Sequence, residues 1–301
     1  MAEPSHAGRV IEWPTLLLLA GCYLVWMAAT TWIALLWLPA GMALTLLSIT
    51  LHSSLCHEAI HGHPTQDKRL NEALVFPALA LCIPYRRFRD SHLDHHHDSI
   101  LTDPYDDPES NYWDPAVWAW LRPWQRAVLR LNNTLAGRLL IGPLVGQWAF
   151  MRADLGDIRR GRRGVLSGWL WHIPALALVI LWLLLVADMP IWAYFLSTYG
   201  ALAMLKIRTF LEHQAHERAR GRSVIVEDRG PLALLFLNNN LHAVHHLHPR
   251  TAWYRLPALY RDNRARYLGR NGGYRYRSYA EVFRRYFFSA KDPVPHPLWP
   301  W

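Results

Sequence analysis

Residues 15–51 carry no charged side chain. As one helix this run would be about 55 Å long at ~1.5 Å per residue, nearly twice the ~30 Å hydrocarbon core of a bilayer. Uncharged apolar runs of this kind are buried in lipid rather than in a soluble core. The run therefore reads as two spans joined by a turn, with Pro39 and Gly41 as the breakers. Two further uncharged stretches, 165–186 and 189–205, flank Asp188 and Pro190 and read as a second hairpin. The expected fold is an all-α integral membrane protein with four transmembrane helices in two hairpins, at about 15–36, 41–56, 165–187 and 190–207. A helical cap, 57–164 and 208–301, completes a single domain, 1–301. The first run is too long for a signal-peptide core and no small-residue cleavage site closes it, so it is expected to be retained.

Charge sets the orientation. The net charge is +9, with 32 Lys and Arg residues. None falls in the two turns, so all lie on the opposite side of the membrane. The positive-inside rule then puts both termini, the middle loop and the cap in the cytoplasm. Binding to nucleic acid is the competing explanation. It is disfavoured because many basic residues have acidic neighbours, as Arg89 has Asp90, and no recognition motif is present. The three cysteines form no CxxC pair, which argues against disulfides and zinc ribbons and leaves them as small buried residues.

The first dozen residues read as a short arm. Residues 70–84, apolar but broken by Pro77 and Pro84, suit an interfacial or re-entrant piece. Residues 86–98 are helix-compatible, 102–115 are turn-rich, and 122–163 suit an amphipathic segment on the bilayer surface. The tail from Asn271 carries no chemistry legible in the sequence.

Most of the 17 histidines cluster. His57 and His61 are four apart and share one helical face. His92, His95 and His96, and again His242, His245 and His246, repeat the spacing i, i+3, i+4, which is expected to gather three rings on one helical face. At this histidine frequency one HxxHH is expected about 0.05 times, and two copies about once in a thousand such chains, so scattered surface histidines are a poor account. Neutral imidazole is a ligand for zinc, iron, copper and nickel. Eight imidazoles exceed the needs of one ion, since structural zinc takes four, so two metals follow. His213, just past the fourth span, is a ninth candidate, and His216 lies one turn on. His63, His97 and His248 read as supporting or surface residues; His172 as a neutral histidine bonded to a neighbouring helix; His6, His52 and His296 as ordinary ones. Glu58, Asp94, Asp98, Glu212, Glu227 and Asp228 are candidates to fix the tautomers of ligating rings. Asn238, Asn239 and Asn240 could cap the helix bearing His242 or hold a metal-bound water.

The three clusters, HEAIH, HLDHH and HAVHH, resemble in order and spacing the histidine boxes of the membrane fatty acid desaturase superfamily, over about 52–257 plus the first span. The strings DPYDDPES, RTFLEHQ and NNNLHAVHH look like its bacterial branch. The family's additional histidine after the last span matches His213; where the family often has an asparagine four positions earlier, this chain has Thr209. The resemblance implies metal ligation by His57, His61, His92, His95, His96, His213, His242, His245 and His246. It implies two iron ions, O2 as co-substrate and oxidation of a lipid acyl chain by desaturation, in a bacterial inner membrane. Hydroxylation or ketolation of a fatty acid, carotenoid or other apolar chain is the alternative; a di-zinc hydrolase or a metal transporter stands further off. With no HPGG motif and no CxxC pairs in the chain, electrons would come from a separate ferredoxin- or rubredoxin-type protein and its reductase. Arg159, Arg160, Arg162 and Arg163 are a possible docking face, and Trp26, Trp32, Trp171 and Trp182 could line a substrate path.

Overall fold

The computed structural model describes residues 11–97 and 99–299. His6, Arg9, most of the N-terminal arm and Asp98 lie outside the described residues. The fold is mostly helical. Among the described residues three helices are long and apolar enough to cross a membrane: α1, Trp13–Leu36; α2, Leu38–Ile60; and α5, Arg163–Leu185. Between them lie α3, Tyr85–His95, and α4, Gly142–Arg159. Helix α6, Ile191–Thr209, is shorter and more polar.

The first break differs from expectation. Only Trp37, with extended backbone (φ −156°, ψ 97°), separates α1 from α2. Pro39 sits in the first turn of α2, where its fixed φ and missing N–H cost nothing, so it starts the helix rather than ending one. Gly41 lies inside α2, and a Cβ there would come within 2.8 Å of the Ala29 carbonyl oxygen and the Ala34 Cα. Its function is close helix approach. Opposite it, α1 contains a π-helical turn at Ala29–Ile33. The Thr30 carbonyl there accepts from the backbone N–H groups of Asp188 and Met189, at 3.0 and 2.9 Å. The Trp182 indole donates to the Thr30 hydroxyl. The α5–α6 connection is thereby tied to α1.

Residues 75–84 form an irregular segment packed among the long helices, with Leu79 fully buried. Buried backbone groups need partners, and side chains supply them: the Tyr194 hydroxyl donates to the Leu79 carbonyl at 2.8 Å and the His172 ring to that of Leu81 at 2.7 Å. His172 therefore serves this segment, not a neighbouring helix. Trp26 and Trp182 pack in the same cluster. Trp32 is exposed.

The cap is pinned by buried polar ties. Asp154 of α4 pairs with Arg87 of α3 at 3.0 Å and accepts from the Trp169 indole of α5. A parallel pair of two-residue strands, Ile225–Val226 with Arg275–Tyr276, carries the third histidine cluster. The Ala243 N–H donates to the Val224 carbonyl, and the Val226 N–H to that of Asn240. The short helix α7, His242–Leu247, is thus docked on the strand pair. All three cysteines are free thiols; Cys22 is buried, Cys56 and Cys82 half-buried.

Candidate metal centre

The nine candidate histidines converge from four segments into two groups. His57, His61, His92, His96 and His245 form one; His95, His213, His242 and His246 form the other; within each, the ligand atoms lie within 4.8 Å of one another. Each HxxHH cluster serves both groups. At about 100° per residue, positions i and i+4 diverge by about 40° while i+3 points well to the other side. His92 and His96 therefore face the first group and His95 the second; His242 and His246 face the second and His245 the first. The His96 and His246 rings stack at 4.3 Å between centroids, where the groups abut.

The Nε2 atoms approach closely. In the first group His61–His92, His92–His96 and His96–His245 are 3.1, 3.0 and 3.2 Å apart. In the second, His95–His213, His213–His242 and His242–His246 are 2.9, 3.0 and 3.1 Å apart. The Nδ1 sides explain what meets there. The His92 Nδ1–H donates to Glu109 at 2.9 Å, that of His95 to Asp107 at 2.7 Å, and that of His242 to the Asn239 side-chain oxygen at 3.0 Å. A neutral ring that donates from Nδ1 presents a lone pair at Nε2, so His92 and His242 turn lone pairs toward the other convergent nitrogens. The buried His57 Nε2 has no hydrogen-bond partner at all. Cations at the two foci satisfy both observations. Nitrogens about 3.0 Å apart are also the spacing of adjacent ligands around an ion with bonds of ~2.1 Å.

Electrostatics keep most rings neutral. Burial, with the neighbouring imidazole His92, pushes His61 down to about 2. Burial and adjacent rings hold His213, His242 and His245 well below the ordinary value. His95 is the exception: burial opposes its charge, but the Glu109 and Asp107 carboxylates outweigh that and raise it to about 9. Glu109 in turn is held low, because His95 and His92 outweigh the cost of its burial.

The orienting carboxylates are largely not the expected ones. Asp107 and Glu109 come from the turn-rich DPYDDPES segment. Asp107 is locked by the N–H groups of Thr102 (2.8 Å) and Glu109 (2.9 Å). Of the expected acids, Glu212 approaches His242 Nδ1 at 3.7 Å and pairs with Arg208. Glu58 lies 3.7 Å from His57 Nδ1 and accepts from the Trp253 N–H. Glu227 binds Tyr260, Arg264 and Arg275 instead, the Asp228 carboxylate binds the Gly230 and Tyr279 N–H groups, and Asp94 is exposed. The asparagines do not cap α7, whose N-cap is Leu241; Asn238 and Asn240 donate to backbone carbonyls. Leu237 and Asn238 both have positive φ, 51° and 57°. Asn tolerates this region; Leu does not, and its burial in the core holds it there.

The remaining described histidines stay out of the groups. His216 bonds the Arg218 backbone, His97 the Asp94 carbonyl, His63 bonds Glu12, His52 Tyr23 and His296 Thr102; His248 packs on Tyr267. The tail proves to be part of the site. The buried Lys291 ammonium donates to the His213 carbonyl at 2.7 Å and to the Tyr274 hydroxyl at 3.1 Å, and Asp292 accepts from Tyr112 at 2.7 Å.

A cavity of about 830 Å³ opens onto this centre. Its lining includes Phe76, Phe150 and Trp171, and, beside the histidines, Glu109, Glu212 and His213. Of the four tryptophans expected along a path, Trp171 lines the cavity. A family model described as fatty acid desaturase matches residues 30–278, most of the chain and all nine of these histidines. None of the curated proteins compared with the chain matches it.

Proposed function

We propose, since this chain belongs to the fatty acid desaturase family, that it is a membrane-bound, oxygen-dependent di-iron oxidoreductase that desaturates a lipid acyl chain. The observation that carries this reading is the pair of histidine groups with inward-facing lone pairs, beside a cavity whose lining combines apolar and charged side chains. His57, His61, His92, His96 and His245 would hold one ion, and His95, His213, His242 and His246 the other. Five nitrogens at one focus exceed the four of a tetrahedral zinc site, which favours iron over a di-zinc hydrolase. Bound iron would supply oxygen activation and hydrogen removal from an unactivated C–H bond.

The chain's own residues supply the rest. Asp107, Glu109 and Asn239 fix ring tautomers and orientations. The apolar cavity wall orients the chain and excludes water.

Helix α6 would be the fourth span. At ~1.5 Å per residue its 19 residues are about 28 Å long, close to a hydrocarbon core. Ala193, Tyr194, Ser197, Thr198 and Ala201 are buried against its neighbours, which explains its lower apolarity: less of it meets lipid. With two hairpins the single domain's cap, the metal centre and both termini would share one side of a bacterial inner membrane, and the positive-inside rule supports the cytoplasmic side. There a lipid substrate and a soluble ferredoxin- or rubredoxin-type donor can both reach the site.

The test is expression in a heterologous host with lipid and pigment profiling, comparing wild type with His245→Ala. Products two hydrogens lighter, lost in the variant, are expected. A gain of one oxygen would identify the hydroxylase alternative, and identical profiles together with iron-free protein would overturn the reading.

A further inference from the structure

The cavity is lined by six basic side chains, Arg86, Arg87, Arg160, Arg162, Lys206 and Arg208. Five have a carboxylate partner: Arg86 pairs with Glu72, Arg87 with Asp154, Arg160 and Arg162 with Asp157, and Arg208 with Glu212. Among the described residues the Lys206 side chain has neither an ion pair nor a hydrogen bond. Such a charge, half-buried in the cavity wall, favours an anion as its partner. Room is kept for its ammonium: a Cβ on Gly146, which also lines the cavity, would come within 3.0 Å of Nζ. Thr209 lies three residues on along the same helix and therefore on the same face. It lines the same cavity, and its hydroxyl is buried without a hydrogen-bond partner. An unpaired ammonium and an unpaired hydroxyl thus share one wall beside Glu212 and His213. The two nearby carboxylates are already engaged, Glu109 by His92 and Glu212 by Arg208.

We propose that Lys206 and Thr209 form a subsite for a carboxylate carried on an aliphatic chain, so that the substrate enters as a free acid rather than as an ester. Lys206 supplies the charge, Thr209 donates a second hydrogen bond, and the wall of Phe76, Phe150, Trp171 and Leu202 takes the hydrocarbon. The cavity volume lies within the range of about 300–1,000 Å³ usual for small-molecule sites. This rests on the cavity being the substrate channel of the proposed oxidative centre, and binding can be measured without turnover.

The experiment is equilibrium binding of isotopically labelled hexadecanoic acid and of its methyl ester to purified, iron-loaded full-length protein at neutral pH, with iron content measured on every sample. Wild type is expected to bind the acid about tenfold or more tightly than the ester, the size of a charge-assisted hydrogen bond. Lys206→Met should bring the acid to the level of the ester, and Lys206→Arg should keep the preference. Equal binding of acid and ester by wild type overturns the proposal, whatever the variants do; so does a Lys206→Met protein with normal iron content and undiminished acid preference. An acid preference in protein that oxidises no lipid would support the subsite and count against the proposed reaction. Oxidised lipid from protein with no acid preference would do the reverse.

Discussion

Asp107→Asn is the substitution that most directly probes the metal centre, because it removes one charge from a buried group without changing its shape. The Asp107 side chain is 1% exposed and accepts three hydrogen bonds: from His95 Nδ1 (2.7 Å) and the Glu109 N–H (2.9 Å) at one oxygen, and from the Thr102 N–H (2.8 Å) at the other. An asparagine has one acceptor oxygen. If it faces His95, the amide NH2 opposes the buried Thr102 N–H; if it turns, the NH2 opposes His95. Either way at least one donor is stranded, and with the NH2 turned to His95 the Glu109 N–H is stranded too, at a cost of about 1–3 kcal/mol for each buried donor. Loss of the carboxylate also weakens His95 as a ligand, and changes to such supporting groups cost about 10–100-fold in metal affinity, or about 1.4–2.7 kcal/mol. Because His95 belongs to the group of four, the loss should fall on one ion. Elemental analysis after dialysis against a chelator should find one ion per chain where wild type retains two. Glu109→Gln, acting through His92, should loosen the other ion. Full retention in Asp107→Asn at the wild-type rate would refute the reasoning, as would two variants that release metal indistinguishably.

Two further outcomes follow from packing and charge. Gly41→Ala would drive a methyl group to 2.8 Å from backbone atoms of α1, so the thermal midpoint in detergent should fall by the equivalent of about 1–3 kcal/mol; an unchanged midpoint would contradict the close approach. Glu227 is held down to about 2, first by its hydrogen bond from Arg264, against about 4.3 unfolded. A depressed folded value means its contribution is fully present above the unfolded value and is lost as pH falls through the folded one. The stability gap between wild type and Glu227→Gln should therefore be constant near neutrality and close between about pH 4 and pH 2. A gap that widens on acidification would reverse the sign.

The histidine clusters were legible in the sequence because helical periodicity alone brings residues four apart onto one face, and His57/His61, His92/His96 and His242/His246 need nothing more. That His95 and His245 cross to the opposite group follows from the same periodicity, but only once two foci are known. Asp107 and Glu109 were not legible. They sit on a turn with no repeating pattern, and the fold alone carries that turn to His92 and His95. Lys291 was hidden for the same reason, 78 residues from the carbonyl it meets. Pro39 was misread because a proline that begins a helix and one that interrupts it look alike until the helix bounds are known.

The reach of Lys291 back to His213 also bears on the order of assembly. By the time residues 291–296 emerge from the ribosome, every apolar helix has already been made and can have entered the bilayer. The imidazole cage is then completed by a segment made after them. A nascent chain halted before Lys291 would leave His213 without its brace, and a metal ion delivered at that stage would meet an unfinished vessel.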